Sequence, residues 1–463
     1  CRIAAQFNTS SNSTAVFELW LPLSSNWNSR FLTVGNGGWA GAVNYPDVGR
    51  GLKLNFASMS TNTGHNSSGG DGTWFQYQEQ SFDFGYRALH LSVEYSKQII
   101  SAYYSTQQSY SYYWGCSTGG RQGFVEVQRF PNDFDGALIG DPVIWQTHEE
   151  AWEDYAGIGF YPNTSETFIS VEQWDAIHEE ALSQCDGIDG VLDGLISNPE
   201  RCNFVPDTLL CQSTKANSTS CLTPLQLGNL KRLYGGWIEN NTVVWPGVPV
   251  GSELQGLLYY TNAEVAGSYG LDYYRYAILN DSTWNSTAIT IEDVKIAEQV
   301  ETYGALASAY DPDLTAFHAK GGKILHYHGW QDSVVNTGIS SMYYTNVLAH
   351  FASLGNATAV KVPDFYRLFM IPEMGHCQGG DGPWVIGAAG QPLESPSNDT
   401  MHNALLALVD WTEGGSAPEK IVATKYVNET TGGEVAYQRP ICLWPEAPVF
   451  LGGDATKETS WEC

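Results

Sequence analysis

Gly115-Cys116-Ser117-Thr118-Gly119 fits the pattern G-x-S-x-G, and its flanks are those of a strand-to-helix turn. The β-prone run Ser109-Tyr-Ser-Tyr-Tyr-Trp114 precedes it, and Gly119-Gly120-Arg121 opens a segment that reads as a helix through Arg129. Such a turn exposes a serine hydroxyl and aims the N–H groups of the following helix at developing negative charge. Five residues with two glycines recur by chance, so the pattern alone is equally a plain turn. The reading strengthens far along the chain, where Met374-Gly375-His376-Cys377 supplies a histidine followed directly by a cysteine.

Strand-like runs recur at Ala15–Leu21, Arg30–Val34, Lys323–His328 and Tyr366–Met370, and helical segments at Gly119–Arg129, Ser340–Leu354 and Met401–Glu413. This alternation predicts an α/β fold with its catalytic loops at the carboxyl ends of the strands. From about Trp145 to Tyr310 the rhythm breaks into glycine-aromatic sequence with four cysteines and several sequons. The expected organisation is a catalytic domain of residues 1–145 and 310–463, interrupted by an inserted lid domain of residues 146–309.

A third catalytic group is expected after a strand and between the serine and the histidine, the chain order of an α/β-hydrolase. Asp332, in His328-Gly-Trp-Gln-Asp332, stands there. An aspartate after a strand is by itself more often a turn or cap, but beside the elbow and the His-Cys pair the catalytic reading prevails. It would orient His376 and stabilise the imidazolium formed when that ring takes the Ser117 proton. His326 and His328 are rival bases, although histidines inside a strand more often pack or hydrogen-bond. Oxyanion donors are expected from the N–H of Thr118 and from the loop Gly35-Asn36-Gly37-Gly38-Trp39-Ala40-Gly41, with Gly38 preferred to Gly37. The loop lacks G-x-G-x-x-G spacing, which argues against a dinucleotide.

Between Cys185 and Cys202 the chain carries Asp186, Asp189 and Asp193 among glycines. Clustered carboxylates repel unless a cation neutralises them, and hard oxygen donors on a loop that can wrap suit Ca²⁺ rather than zinc. The loop is not an EF-hand, since Ser197 occupies the place of the bidentate glutamate; a solvated acidic turn is the plainer alternative.

The 463 residues can bury a large core. With 22 basic against 50 acidic side chains and a net charge of −28, nucleic acid and anionic membranes are poor partners. No apolar run approaches the roughly 18 residues of a membrane span. Cysteines 185/202, 211/221 and 442/463 are close enough in sequence to read as local staples. Sequons at Asn8, Asn12, Asn66, Asn163, Asn217, Asn240, Asn280, Asn285, Asn356, Asn398 and Asn428 accompany them, and together these features predict a secreted glycoprotein. The odd cysteine, Cys1, predicts a partner in preceding sequence, with a free thiol as the alternative.

Cys116-Ser117, Asp332 and His376-Cys377 resemble the CS-D-HC signature of the fungal tannase and feruloyl esterase family. The likeness covers nearly the whole chain, including the Gly35–Gly41 loop, the Asp-Gly loop and the Cys442/Cys463 pair. It implies an α/β-hydrolase fold with a large lid and a disulfide between Cys116 and Cys377. It also implies structural Ca²⁺ held by the side chains of Asp186, Asp189 and Asp193 with the carbonyls of Val191 and Leu195, and no organic cofactor. The implied reaction is hydrolysis of an ester between an aromatic acid and a simple alcohol or cell-wall sugar. Lid aromatics Trp237, Trp245, Tyr259, Tyr260, Tyr273 and Tyr274 include candidates for the phenolic ring, none singled out. A feruloyl esterase is expected first and a tannase second, the dibasic pair Lys231-Arg232 keeping lid processing open. A catalytically silent binding protein is expected to have lost one of Ser117, Asp332 or His376, and all three are present.

Overall fold

The aromatic run before Ser117 becomes an inner strand of an eight-stranded sheet. A computed structural model describes residues 1–211, 220–255, 268–304, 307–355 and 360–463. In chain order the sheet strands are β1 (Arg2–Asn8), β2 (Thr14–Trp20), β3 (Arg30–Val34), β4 (Ala57–Thr61), β5 (Tyr110–Cys116), β6 (Gly136–Gly140), β7 (Lys323–Gly329) and β8 (Tyr366–Ile371). They lie in the order β1-β2-β4-β3-β5-β6-β7-β8. β1 and β2 run antiparallel at one edge, and the run from β4 to β8 is parallel.

Parallel strands need both faces covered, which is why β5 to β8 are almost wholly buried while edge strand β1 alternates between exposed and half-buried. The strand period of two sorts the elbow strand between two cores. Tyr113 packs with Phe124 and Ile139 on one side; Tyr112 and Trp114 pack with Leu325, Leu405 and Leu408 on the other. The first layer includes α2 (Ala88–Tyr104) and α3 (Thr118–Arg129), α1 (Tyr45–Lys53) having preceded them in the chain.

After β6 the chain leaves the sheet and re-enters it at β7. The excursion begins with α4 (Gln146–Gly157) and contains helices Val171–Cys185 and Pro224–Gly235, each opened by a capping box, Ser170 with Gln173 and Thr223 with Gln226. Disulfides Cys185–Cys202 and Cys211–Cys221 staple it, and Cys442–Cys463 closes the C-terminal end. One buried apolar cluster runs from Phe31 and Ile139 of the sheet into Trp152, Trp174 and Trp245 of the excursion. Among the described residues no helix is long and apolar enough to cross a membrane.

Because β3, β5, β6 and β7 are parallel and adjacent, their C-terminal ends form one rim. The Gly35–Gly41 loop, Ser117, Asp141 and the turn to Asp332 follow those four strands and meet there.

Candidate active site

Ser117 links β5 to α3 with φ 64° and ψ −127°, a conformation that costs a side-chain-bearing residue roughly 1–3 kcal/mol. Its neighbours hold it there. Its N–H donates to the Gly140 carbonyl (3.0 Å), and its carbonyl accepts from Arg121 N–H (3.0 Å). The flanking glycines are required by close approach: a Cβ on Gly115 would stand 2.6 Å from the Gly119 oxygen, and one on Gly119 would stand 2.9 Å from the Asn36 oxygen.

The Ser117 hydroxyl lies 2.8 Å from His376 Nε2, and His376 Nδ1 lies 2.7 Å from Asp332 Oδ2. The other Asp332 oxygen accepts the N–H groups of Val334 and Val335, both at 2.9 Å. Burial alone would raise the Asp332 pKa, but His376 and His328 overcome it and hold the carboxyl well below its usual range. Burial works to lower the His376 pKa; the charge and hydrogen bond of Asp332, helped by Asp141, outweigh it and leave the ring above its ordinary value.

His326 and His328 do not contact Ser117 but form a second, fully buried chain behind Asp332. His328 Nε2 lies 2.9 Å from the Val335 carbonyl, which can only accept, so this nitrogen carries the proton and also faces Asp332 Oδ2 at 3.2 Å. His328 Nδ1 then accepts from Ser340 Oγ (2.6 Å), Ser340 accepts from His326 Nε2 (3.0 Å), and His326 Nδ1 accepts from the Tyr366 hydroxyl (2.8 Å). Every donor in this chain points toward Asp332. Burial, then the neighbouring His328, holds the His326 pKa well below the ordinary imidazole value, which suits that neutral role.

Cys116 and Cys377 are joined, across 261 positions. The bond ties the residue before Ser117 to the residue after His376. Asp141, which the sequence reading missed, lies against it, with Oδ2 3.2 Å from the Cys116 sulfur and Oδ1 accepting Gly329 N–H at 2.9 Å. Burial, partly opposed by His328 and reinforced by Asp332, pushes the Asp141 carboxyl up to about 7.

Ser117, Thr118, Gly38, His376 and Cys377 line a cavity of about 320 Å³. The N–H groups of Thr118 and Gly38 have no protein partner among the described residues. Gly38 has φ +52°, and a Cβ there would stand 2.8 Å from the Gly69 oxygen, whereas Gly37 faces open space. The loop is clamped from α3: Gln122 accepts Asn36 N–H at 3.0 Å and donates to the Asn36 side chain at 3.1 Å, while Asn36 Nδ2 donates to the Ala42 and Thr61 carbonyls.

The Asp186–Ser197 loop is arranged differently. Asp186 accepts the N–H groups of Asp193, Gly194 and Leu195, and Asp189 accepts Val191 N–H and the Ser197 hydroxyl. Asp193 pairs with Arg439 at 2.6 Å, and Arg439 also lies 3.9 Å from Asp189. Burial raises the Asp189 pKa despite these partners. Three groups of acidic, histidine or cysteine side chains gather within 4.8 Å among the described residues: Cys116/Asp141/Cys377, His90/Glu126/Asp133 and Asp141/His328/Asp332. The loop trio is not one of them, so its three carboxylates do not all lie within 4.8 Å of one another. The donor set nevertheless suits a hard cation: three carboxylates on a turn bent at Gly190 (φ 97°) and Gly194 (φ 78°), offset by one guanidinium.

Of the sequon asparagines, Asn8, Asn12, Asn66, Asn163, Asn240, Asn280, Asn285, Asn398 and Asn428 are exposed, while Asn217 and Asn356 lie outside the described residues. Of the lid aromatics, Trp237, Trp245, Tyr273 and Tyr274 are buried in the common core, and Tyr259 and Tyr260 lie outside the described residues. Lys231 and Arg232 sit within helix Pro224–Gly235, where Arg232 donates to the carbonyls of Tyr155, Ala156 and Ile158. Cys1 is free and exposed.

The family model described as "Tannase and feruloyl esterase" matches residues 1–463. A probable feruloyl esterase B-2 of Neosartorya fischeri is 37% identical over 469 residues, covering 100% of this chain and 86% of that protein. A probable feruloyl esterase B-1 of Aspergillus oryzae is 37% identical over 471 residues, covering 100% and 83%. The crystal structure of feruloyl esterase B from Aspergillus oryzae superposes with a TM-score of 0.92 at 37% identity, covering 100% of this chain and 90% of that one. The tannin acyl hydrolase of Aspergillus niger, at 22% identity and a TM-score of 0.79 over 100% and 85%, shares the fold.

Proposed function

The chain belongs to the tannase and feruloyl esterase family of carboxylic ester hydrolases, and on that premise we propose that it cleaves ferulate-type hydroxycinnamate esters of simple alcohols or plant cell-wall sugars through an acyl-enzyme on Ser117. The observation that carries this reading is the unbroken run from Ser117 Oγ to His376 to Asp332, at 2.8 and 2.7 Å. His376 accepts the serine proton as Oγ attacks the ester carbonyl, and Asp332 stabilises the resulting imidazolium. The N–H groups of Thr118 and Gly38 bind the oxyanion. His376 then returns the proton to the departing alkoxide, and the same ring activates the water that releases the acid.

Ferulate-type rather than galloyl esters are favoured by the names of the relatives at 37% identity. Lid processing at Lys231-Arg232, the feature that kept a tannase in view, finds little support in a dibasic pair held inside a helix. Rates on methyl ferulate, methyl caffeate and methyl gallate, measured side by side, test the assignment, and preference for the gallate would reverse it. Labelling of Ser117 by a fluorophosphonate is expected; a protein that resists the probe would be a silent binder.

We further propose that Ca²⁺ is held structurally by Asp186, Asp189 and Asp193 with the carbonyls of Val191 and Leu195, and that the protein is secreted and glycosylated. The oxygen-rich loop supports the first. Four disulfides with exposed sequon asparagines support the second.

A further inference from the structure

One wall of the cavity is chemically unlike the rest. Gln146, Glu149, Glu150 and Glu153 of α4 line it together with Ser117 and His376. Their spacing of three, four and seven residues puts them on one face of the helix. Gln146, Glu149 and Glu150 are at most 4% exposed. Gln146 donates to Glu150, and Glu153 accepts Gly270 N–H at 3.2 Å. Glu149 Oε2, Glu150 Oε2 and Gln146 Oε1 have no partner among the described residues. Leaving such atoms buried and unpaired is costly, so a helix face built this way beside Ser117 is poised for a polar ligand.

We infer that Glu149, Glu150 and Glu153 are specificity-determining residues that sort esters by what they carry to this wall, admitting neutral hydroxyl groups and rejecting an ionised carboxylate. The inference rests on the ester-hydrolase reading above. A hydroxyl both donates and accepts, so it pairs with a carboxyl group in either protonation state. Burial pushes the pKa values of Glu149 and Glu150 well up and that of Glu153 to about 7, so the wall offers both donors and acceptors near neutral pH. An incoming carboxylate finds no compensating charge, because none of the described residues lining the cavity is lysine or arginine, while Asp47 lines it and Asp332 stands behind His376. Moving an unpaired anion into such a site is strongly unfavourable. The admitted hydroxyl can belong to the ring of the acid or to a polyol alcohol, and both present the same chemistry.

The test compares kcat/KM of the intact protein on four esters that differ in one group: methyl cinnamate, methyl 4-hydroxycinnamate, methyl 4-carboxycinnamate and glyceryl cinnamate. A ring hydroxyl at the wall predicts at least a tenfold advantage for the 4-hydroxy ester over methyl cinnamate; a polyol hydroxyl predicts it for the glyceryl ester instead. In either case the 4-carboxy ester should fall at least tenfold below methyl cinnamate. The Glu149→Leu/Glu150→Leu variant should bring the hydroxyl advantage to within about twofold, and Glu149→Gln/Glu150→Gln, which keeps hydrogen-bonding groups in place, should restore most of it. If the leucine variant does not fold, the four-ester series on the unaltered protein still decides. Equal rates on all four esters, or a hydroxyl advantage that survives both leucines, would overturn the inference and leave the ester-hydrolase reading standing. Turnover of none of them would overturn both.

Discussion

The rim around Ser117 and the loop from Asp186 to Ser197 both concentrate charged groups, and they hold them by opposite means. At the rim the carboxylate is fully buried and saturated: Asp332 takes two backbone N–H groups and faces two imidazoles. A covalent bond spans the site as well. In the loop, most of the aspartate hydrogen bonds come from the turn itself, and the one long-range partner among the described residues is a guanidinium delivered by the C-terminal part of the chain. The rim is thus preorganised by its own protein groups. The loop sets three carboxylates against one guanidinium.

The largest effect expected from disturbing the rim is that of Ser117→Ala. It should lower ester hydrolysis by on the order of 10⁶ while leaving thermal unfolding nearly unchanged, because nucleophile and base act as a unit. Steady-state rates on methyl ferulate with a matched melting curve decide it, and appreciable turnover by the variant, once contaminating esterase is excluded, would remove the serine from its role.

Asp332→Asn should cost about 10⁴ in kcat by disturbing the His376 tautomer. It also carries a signed pH consequence. With His376 proposed as the neutral base and its pKa raised by Asp332 against burial, the acid limb of kcat/KM should lie above the ordinary imidazole value of 6.5, with rates falling as pH drops through it. Removing the carboxylate should shift that limb to lower pH. A limb that stays in place in the asparagine variant would show that Asp332 does not set the base.

Replacing Cys116 and Cys377 together by alanine sharpens the contrast further, since the loop has no comparable crosslink to Ser117. The chain-entropy model assigns about 5.6 kcal/mol to closing a loop of 261 positions, an upper value because native strain subtracts from it. A displacement near 1 Å between serine and histidine costs roughly 10²-fold in rate. Activity should therefore drop by about 10 to 10² at temperatures where the variant remains folded by circular dichroism. Full activity in that window would mean that packing alone sets the spacing.

The smallest catalytic effect belongs to the loop. Chelation should lower the melting temperature by several degrees while changing the initial rate at 25 °C by less than about twofold, because a ligand bound only to the folded state stabilises by mass action. Elemental analysis finding no calcium in protein purified without chelator, together with an unchanged melt, would leave Arg439 as the balancing charge and erase the metal.

Much of the sheet was legible because buried parallel strands are short apolar runs bounded by glycine, proline or polar turn residues: Arg30–Val34 matches β3, and Lys323–His328 and Tyr366–Met370 fall one residue short of β7 and β8. Ser117, Asp332 and His376 could be named because each sits in a local motif and the order along the chain restricts the choice. Asp141 carried a weaker signal, an aspartate directly after a strand that ends at the same rim, and Gln122 and Ser340 carried none. Their importance comes from reaching Asn36, 86 positions away, and His326, 14 positions away. The face formed by Glu149, Glu150 and Glu153 looks in sequence like the solvated side of an amphipathic helix, and only the packing above the sheet turns it inward.

The sequence by itself determined several of the elements, the strand-to-helix turn at Ser117 and the identities of the groups brought to it, since backbone preference, apolar periodicity and glycine placement act over a few residues. Tertiary structure alone decided which histidine faces the serine. His326, His328 and His376 have the same intrinsic chemistry, and the parallel sheet buries two of them behind Asp332 while the turn after β8 delivers the third to Ser117 Oγ. It also decided that Arg439 meets Asp193 across 246 positions. Distances of a few ångströms between such remote residues depend on strand order and disulfide closure, which no local preference encodes.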